Sequence, residues 1–151
     1  MRNLSLSEFS DRVCEIMPVI SREFYKKQTS QFYRMKITTP QFVVLEILGR
    51  EGESRMTDLA GIINVSTAAM TGIVDRLVRD RYVARASDPD DRRIIKVALT
   101  TRGARAVKSI IDERKRIFSR IFGVLSGDER EEYLKILISV RDRLKERGSG
   151  S

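Results

Sequence analysis

One group of side chains near the middle of the chain has the types and spacing of a surface that contacts double-stranded DNA. Ser66 has a hydroxyl that can accept hydrogen bonds from the free N–H groups at the start of a helix. The exposed side of the helix that it would begin carries small, hydrogen-bonding or basic side chains: Thr67, Ala68, Thr71, Gly72 and Arg76. A first turn this small lets a helix end sit deep in the major groove, where threonine bonds base edges and arginine reaches phosphate. We therefore expect this helix to contact DNA from Ser66 onwards, with Arg79 and Arg85 directed towards phosphate.

A second group of side chains lies at a predicted turn, Ser87-Asp88-Pro89-Asp90-Asp91, which is followed by Arg92 and Arg93. Proline presets its own torsion and aspartate bonds its own backbone, so this segment predicts a tight hairpin tip. A guanidinium at such a tip can enter the minor groove beside a helix in the major groove. Either Asp91 or Asp88 would orient the second arginine by a bidentate pair. An arginine pair alone is more often a solvated hairpin, but its position after a helix-turn-helix favours DNA.

A helix-turn-helix followed by a β-hairpin would position both groups. A short helix over residues 56–63 precedes the turn Asn64-Val65-Ser66, and a longer helix follows it. Four apolar side chains of the longer helix recur at helical spacing and predict its buried face: Ala69, Ile73, Leu77 and Val78. Residues 82–85 and 94–99 are then predicted as two strands. The expected fold is mainly α, a winged helix-turn-helix with a small β-wing between N-terminal and C-terminal helices.

The flanking helices are predicted from capping residues and apolar stripes. Helix starts are indicated at four places: Ser5 with Glu8, Thr39 followed by Pro40, Thr100 or Thr101, and Ser126 with Glu129. Pro18 stands inside the first stripe, which continues in phase on both sides, so a bend is expected there rather than a break. The apolar stripes of the terminal helices need a partner. A two-fold homodimer is the economical solution, and folding back on the same chain is the alternative.

The chain resembles the MarR family of bacterial winged-helix regulators. The segments that carry the resemblance are Thr39-Pro40-Gln41-Phe42, Val74-Asp75-Arg76-Leu77, Val83-Ala84-Arg85, Asp88-Pro89-Asp90-Asp91-Arg92-Arg93 and Val97-Ala98-Leu99-Thr100-Thr101-Arg102-Gly103. The resemblance implies an obligate dimer, a transcriptional role, and often an inducer site between the DNA-binding lobe and the dimerisation helices. We expect a repressor that is released by a small apolar or phenolic ligand.

These observations divide the chain into four expected parts. Residues 1–37 are the N-terminal dimerisation helix, and residues 38–100 are the DNA-binding lobe. Residues 101–147 are the C-terminal dimerisation helices, and residues 148–151 are a flexible tail or a remnant of cloning. The length of 151 residues has room for one compact domain, or for one lobe with a docking element.

Composition favours a polyanionic partner. The formal net charge is +8 and the sequence pI is about 10.0, although a basic surface can also be merely solvated. There is no apolar run long enough to span a bilayer and no signal-peptide pattern, so we expect a cytoplasmic protein that makes no membrane contact. The single cysteine, Cys14, excludes an internal disulfide and suggests a reducing compartment.

Several kinds of chemistry have no residues to carry them. The chain has no histidine, which removes His-dependent triads and His-bearing zinc sites. It has no glycine-rich phosphate loop followed by Lys-Thr or Lys-Ser. We therefore expect no catalytic residues, no metal and no cofactor, and no enzymatic activity.

Three alternative functions stay open at the level of sequence. Organic-hydroperoxide sensors that resemble this family carry a reactive cysteine early in the first helix, and Cys14 stands at a similar distance before Thr39-Pro40-Gln41. A buried structural cysteine is the commoner case. The small side chains around Gly72 also permit a protein-interaction module that has lost DNA binding. Shape recognition of double-stranded RNA is the third alternative.

Overall fold

The computed structural model describes residues 4–148, and within them the side chains of all residues except 27–31 and 148. The expected tail therefore lies almost entirely outside the described residues. The elements in chain order are α1 (Leu6–Met35), α2 (Thr39–Glu51), β1 (Ser54–Arg55), α3 (Met56–Ile62), α4 (Thr67–Arg79), β2 (Val83–Ser87), β3 (Ile95–Leu99), α5 (Thr101–Phe122) and α6 (Gly127–Gly148). They fall into two compact units, one up to Arg114 and one from Lys115 onwards.

Local capping determines where the long helices begin. The Ser5 hydroxyl accepts from the Glu8 N–H at 3.2 Å, and the Glu8 carboxylate accepts from the Ser5 N–H at 3.1 Å, which confirms the predicted start of α1. The same reciprocal pair joins Ser126 and Glu129 before α6. Helix α1 continues through Pro18 without a break, as the unbroken apolar stripe predicted.

The predicted cap of α2 was wrong by one residue. Thr38 is the cap, because the side-chain oxygen of Gln41, three residues after it, accepts from the Thr38 N–H at 2.8 Å. Thr39 has Phe42 at the corresponding position and cannot form this pair. Of the two threonines offered for α5, Thr100 is the cap, since its hydroxyl accepts from the Gly103 N–H at 3.0 Å.

The sheet has three antiparallel strands among the described residues, in the order β1-β3-β2. Ser54 pairs with Val97 on one side of β3, and Val83 pairs with Leu99 on the other. The predicted two-stranded ribbon therefore lacked β1, whose two residues are too few to show an alternating pattern. Strand β2 begins at Val83 because the Tyr82 N–H bonds the Leu77 carbonyl at the end of α4.

The buried face of α4 agrees with the predicted one at Leu77, which is buried, and at Ile73, which is half-buried, but differs elsewhere. Met70, Val74 and Leu77 are fully buried, whereas Ala69 and Val78 are exposed. Met70, Val74 and Leu77 follow one another at steps of four and three residues and carry large apolar side chains. Ala69 has little apolar surface to bury, so the face that carries Met70, Val74 and Leu77 packs against the core instead.

The core of the first unit is one contiguous apolar cluster drawn from the end of α1, the first half of α5 and every element between them except β1. It includes Leu45 of α2, Leu59 of α3, Val97 of β3 and Ile110 of α5, each at most 1% exposed.

Among the described helices, none is by itself long and apolar enough to cross a bilayer. The bent pair of α3 and α4 would pass that test on length and composition alone.

Candidate nucleic-acid interface

The start of α4, the start of α3 and the wing formed by β2 and β3 line one open concavity of about 560 Å³. Its lining is mixed polar and apolar: Arg55, Met56, Thr57, Thr67, Thr71, Arg85, Ala86, Ser87, Arg93, Ile94 and Ile95. The structure thus brings together four of the residues singled out in the sequence: Thr67, Thr71, Arg85 and Arg93. Ser66, Ala68, Arg76 and Arg92 do not line it, but all four are exposed.

Two polar residues of this concavity, Arg55 and Thr57, were missed as site residues. Arg55 reaches it because β1 pairs with β3, and such a long-range pairing leaves no local signal in the sequence. Thr57 follows in the first turn of α3 and faces the same space as Thr67. A hydroxyl-bearing residue near the start of each of two successive helices was the available signal for Thr57.

The first turn of α4 is fixed by its own polar side chains. The Ser66 hydroxyl accepts from the Ala69 N–H at 3.1 Å, and the Thr71 hydroxyl donates to the Thr67 carbonyl at 2.9 Å. Asn64 adopts a positive φ of 54°, which asparagine tolerates, and this turns the chain between α3 and α4. Ser66 therefore holds the helix end in place, while Thr67 and Thr71 line the concavity.

The wing tip is organised by two carboxylates with different partners. Asp88 accepts from the N–H groups of Asp90 at 2.9 Å and Asp91 at 3.3 Å, and it lies 2.7 Å from the Lys96 ammonium. Asp91 accepts from Nε and Nη2 of Arg93, both at 3.1 Å. Of the two carboxylates offered as partner for the second arginine, Asp91 makes the bidentate pair. The Arg93 side chain is nevertheless 91% exposed, so its guanidinium is both oriented and accessible.

The electrostatics of the tip follow from these contacts. Lys96, and then the N–H groups of Asp90 and Asp91, lower the pKa of Asp88 to about 2. Hydrogen bonds from Arg93 lower the pKa of Asp91, and Asp88 raises the pKa of Lys96. These shifts favour the charged forms of Asp88, Asp91 and Lys96.

The depressed pKa of Asp88 gives a testable pH dependence. A carboxyl that titrates lower in the folded state stabilises the fold above its ordinary pKa of about 3.9. We expect this contribution to be lost as the pH falls from about 4 through about 2. Carboxyl-carbon NMR titration should place Asp88 near 2, and Lys96→Met should raise that value. Lys108→Met removes a lysine that pairs with Asp112 instead, and it should leave the titration of Asp88 unchanged. An ordinary pKa for Asp88 in the unmodified protein would contradict the assigned contacts.

Two arginines expected to face phosphate are engaged within the protein. The Arg85 guanidinium binds the Asp75 carboxylate and the Thr71 carbonyl, and so ties β2 to α4. Arg79 donates to both carboxylate oxygens of Asp80 at 3.0 and 3.2 Å. Arg85 therefore sets the position of the wing relative to α4.

Cys14 is a free cysteine, exposed on α1. Tyr25 and Tyr33, the tyrosines nearest in sequence, are 67% and 85% exposed. If a hydroperoxide acts through this thiol, it should release DNA from the unmodified protein but not from Cys14→Ser. Identical release curves for the two proteins would remove the redox hypothesis.

Within the described part of the chain, no three acidic or cysteine side chains group as a metal site.

Comparison with known proteins decides which family has this arrangement. The model of the MarR family matches residues 37–95, from just before α2 to the start of β3. The HTH-type transcriptional repressor NicR of Pseudomonas putida is 31% identical over 134 residues, which cover 86% of this chain and 85% of NicR. The chain belongs to the MarR family. This MarR-family protein is thus a DNA-binding transcriptional regulator and not an enzyme, as predicted.

Solved structures agree on the fold. A MarR family protein from Bacillus stearothermophilus has a TM-score of 0.82 at 21% identity, covering 93% of this chain and 99% of that one. A MepR-like protein crystallised with pseudoligands has a TM-score of 0.57 at 30% identity, covering 89% of this chain and 94% of that one. The winged helix-turn-helix predicted for this MarR-family protein is confirmed.

Proposed function

We propose that this protein is a dimeric repressor that binds a specific pseudo-palindromic DNA sequence. The observation that carries the proposal is the concavity in which the exposed start of α4 stands beside an arginine fixed by Asp91. A helix end with small side chains fits the major groove, and an oriented guanidinium at the flank fits the minor groove.

In this proposal the two grooves are read by different elements. Thr67, Ala68 and Thr71 face base edges in the major groove, and the Ser66 cap holds the turn that presents them. The exposed side chain of Arg76, further along α4, reaches phosphate. Arg92 and Arg93 enter the minor groove beside it, with Asp88 and Asp91 bracing the tip.

The proposed dimer is supported by apolar side chains that single-chain packing leaves exposed. On α1 they include Leu6 at 79%, Phe9 at 51%, Ile16 at 55% and Val19 at 65% exposed. On α6 they are Tyr133, Leu134, Ile136, Leu137, Ile138, Val140 and Leu144. Apolar surface of this extent is usually covered by a partner. A second copy that covers these apolar side chains, within the expected dimerisation segments 1–37 and 101–147, would set two α4 helices about 34 Å apart, one turn of DNA.

We further propose that a small apolar or phenolic ligand releases the DNA. A concavity of about 540 Å³ lies on the α2 and α3 side of the first unit, with Pro40, Val43, Ile47, Ile63 and Val65 in its wall. That volume is in the range of small-molecule sites. Support also comes from the MepR-like structure crystallised with pseudoligands. A ligand that binds better to dimers with the wrong helix spacing would lower DNA affinity by shifting the population.

Gel shift and sedimentation test the proposal together. We expect a dimer in sedimentation velocity, retardation of random duplex at low salt, and little competition by duplex RNA. A protein-interaction module that has lost DNA binding would leave random duplex unshifted at low salt. A monomer at working concentration would contradict the proposed spacing of the two α4 helices.

A further inference from the structure

A second basic concavity lies in the first unit, where the C-terminal end of α4 meets the end of α1 and the start of α5. Its volume is about 340 Å³, and its lining is Met35, Lys36, Arg79, Asp80, Tyr82 and Arg102. None of these residues lines the concavity with Thr67, Thr71 and Arg93. The proposed function of the protein makes no use of it.

Three segments that are distant in sequence are held together around this concavity by Tyr82. The Tyr82 hydroxyl donates to the Met35 carbonyl at 3.3 Å, which fastens the end of α1 to the turn after α4. The Tyr82 carbonyl accepts from the Thr100 hydroxyl at 3.1 Å, which fastens the start of α5 to the same turn. Tyr82 itself is only 6% exposed. The backbone around the concavity is therefore held by a buried residue, while the side chains of Lys36, Arg79 and Arg102 are exposed at its rim.

The charges in this concavity do not balance. Arg79 is paired with Asp80, whose carboxylate is the only acidic group in the lining. The Arg102 guanidinium lies 4.9 Å above the centre of the Tyr82 ring. Neither Arg102 nor Lys36 has a carboxylate within ion-pair distance among the described side chains. Two uncompensated positive charges thus face the same space, and Arg102 also stands in the first turn of α5, where the helix dipole adds positive potential.

The pKa of Asp80 indicates which chemical group the cluster of Lys36, Arg79 and Arg102 favours. Its pKa lies below the ordinary range, first because Arg79 donates to it, and further because of the charges on Arg79, Arg102 and Lys36. One carboxylate is therefore already stabilised at the edge of the concavity. The remaining space and charge suit a second oxyanion group.

We propose that Lys36, Arg79 and Arg102 form a binding site for a small molecule with two or more negative charges on phosphate or carboxylate groups. The volume of about 340 Å³ is at the lower end of small-molecule sites, so a compact metabolite fits better than a nucleotide. Guanidinium and ammonium groups bind both kinds of oxyanion through charge-assisted hydrogen bonds. Arg79 and Asp80 terminate α4, so any effect of the anion on DNA affinity rests on the proposed function, whereas anion binding itself does not.

The test is a titration of the full chain with inorganic phosphate and with citrate, each against potassium chloride at equal ionic strength. Backbone amide NMR signals of Lys36, Arg79, Tyr82 and Arg102 should shift saturably with at least one anion. The thermal midpoint should rise with the same concentration dependence. Saturation by phosphate assigns the site to phosphorylated compounds, and saturation by citrate alone assigns it to polycarboxylates.

Two variants and a matched control make the test specific. Lys36→Gln and Arg102→Gln should each weaken the apparent affinity at least tenfold, or about 1.4 kcal/mol. The double variant Arg105→Gln with Lys108→Gln removes charge from exposed positions of α5 outside the concavity and should bind as the unmodified chain does. Arg102→Gln also removes the contact of Arg102 with the Tyr82 ring and can lower the stability of the fold. The affinity of Lys36→Gln therefore tests the site separately.

Three outcomes would overturn the proposal. Signals that follow only ionic strength would show that no site exists. Equal losses in the control variant would show a general effect of net charge. If neither anion saturates and Lys36→Gln instead lowers the salt slope of duplex DNA binding by about one, the cluster is a contact to the DNA backbone.

Discussion

Replacing both Arg92 and Arg93 by alanine is expected to raise the dissociation constant for duplex DNA by roughly a hundredfold, since each groove contact contributes about 1–3 kcal/mol. The slope of log affinity against log salt should become shallower by about two, because two cations no longer displace counterions. The exposed wing tip has few packing contacts to lose, so the thermal midpoint should change little. Fluorescence anisotropy across a salt series measures both quantities.

A third substitution separates the charge of the tip from its orientation. Asp91→Asn keeps both arginines but weakens the bidentate pair that orients Arg93. It should lower affinity less than the double alanine variant and leave the salt slope unchanged. Arg105→Ala with Lys108→Ala is the matched loss of two charges on exposed positions of α5. An affinity and a slope unchanged by the loss of Arg92 and Arg93 would contradict the wing assignment.

Gly103→Ala is expected to lower the free energy of unfolding by about 3 kcal/mol. A Cβ at Gly103 would lie 1.9 Å from the Tyr82 carbonyl oxygen and 3.2 Å from Cδ2 of Leu99. The nearest atom is backbone, so it cannot move aside as a flexible side chain would. The shift would also disturb the Thr100 hydroxyl, which bonds both the Gly103 N–H and the Tyr82 carbonyl.

The direction of the stability change caused by Gly103→Ala is informative, because helix propensity alone would make alanine stabilising at this position. Alanine in place of glycine inside a helix stabilises by about 1 kcal/mol where space is open. Gly72 lies within α4, and a Cβ there would meet no atom within 4 Å. Urea denaturation should therefore show Gly72→Ala to be slightly stabilised and Gly103→Ala strongly destabilised. Equal stability gains in both would contradict the close packing of α5 on Tyr82.

Local sequence signals predicted those features that depend on a few adjacent residues. The capping boxes of Ser5 with Glu8 and Ser126 with Glu129 were found because the two partners are three residues apart. The cap of α2 was misplaced because two threonines adjoin, and only the position of Gln41 distinguishes them. The start of a helix was thus predictable where the residue three positions after the cap was considered together with the cap itself.

Features that depend on contacts between distant residues were not predictable. The pairing of β1 with β3 places Arg55 beside α4, and no pattern within two residues can indicate such a pairing. The turn sequence left open whether Asp88 or Asp91 holds the second arginine. The choice depends on Lys96, which lies across the hairpin and forms an ion pair with Asp88, while Asp91 pairs with Arg93. The tie from Arg85 to Asp75 likewise requires β2 and α4 to be packed first.

The most direct measurement is chemical footprinting of the purified protein on a duplex that it selects from random sequence. Dimethyl sulfate should reveal two protected major-groove windows centred about 10 base pairs apart. Hydroxyl radicals should reveal a protected minor groove flanking each window, and that flanking protection should vanish with Arg92→Ala and Arg93→Ala. A single window, or flanks that stay protected without these arginines, would contradict the proposal that paired α4 helices and arginine-tipped wings read the DNA together.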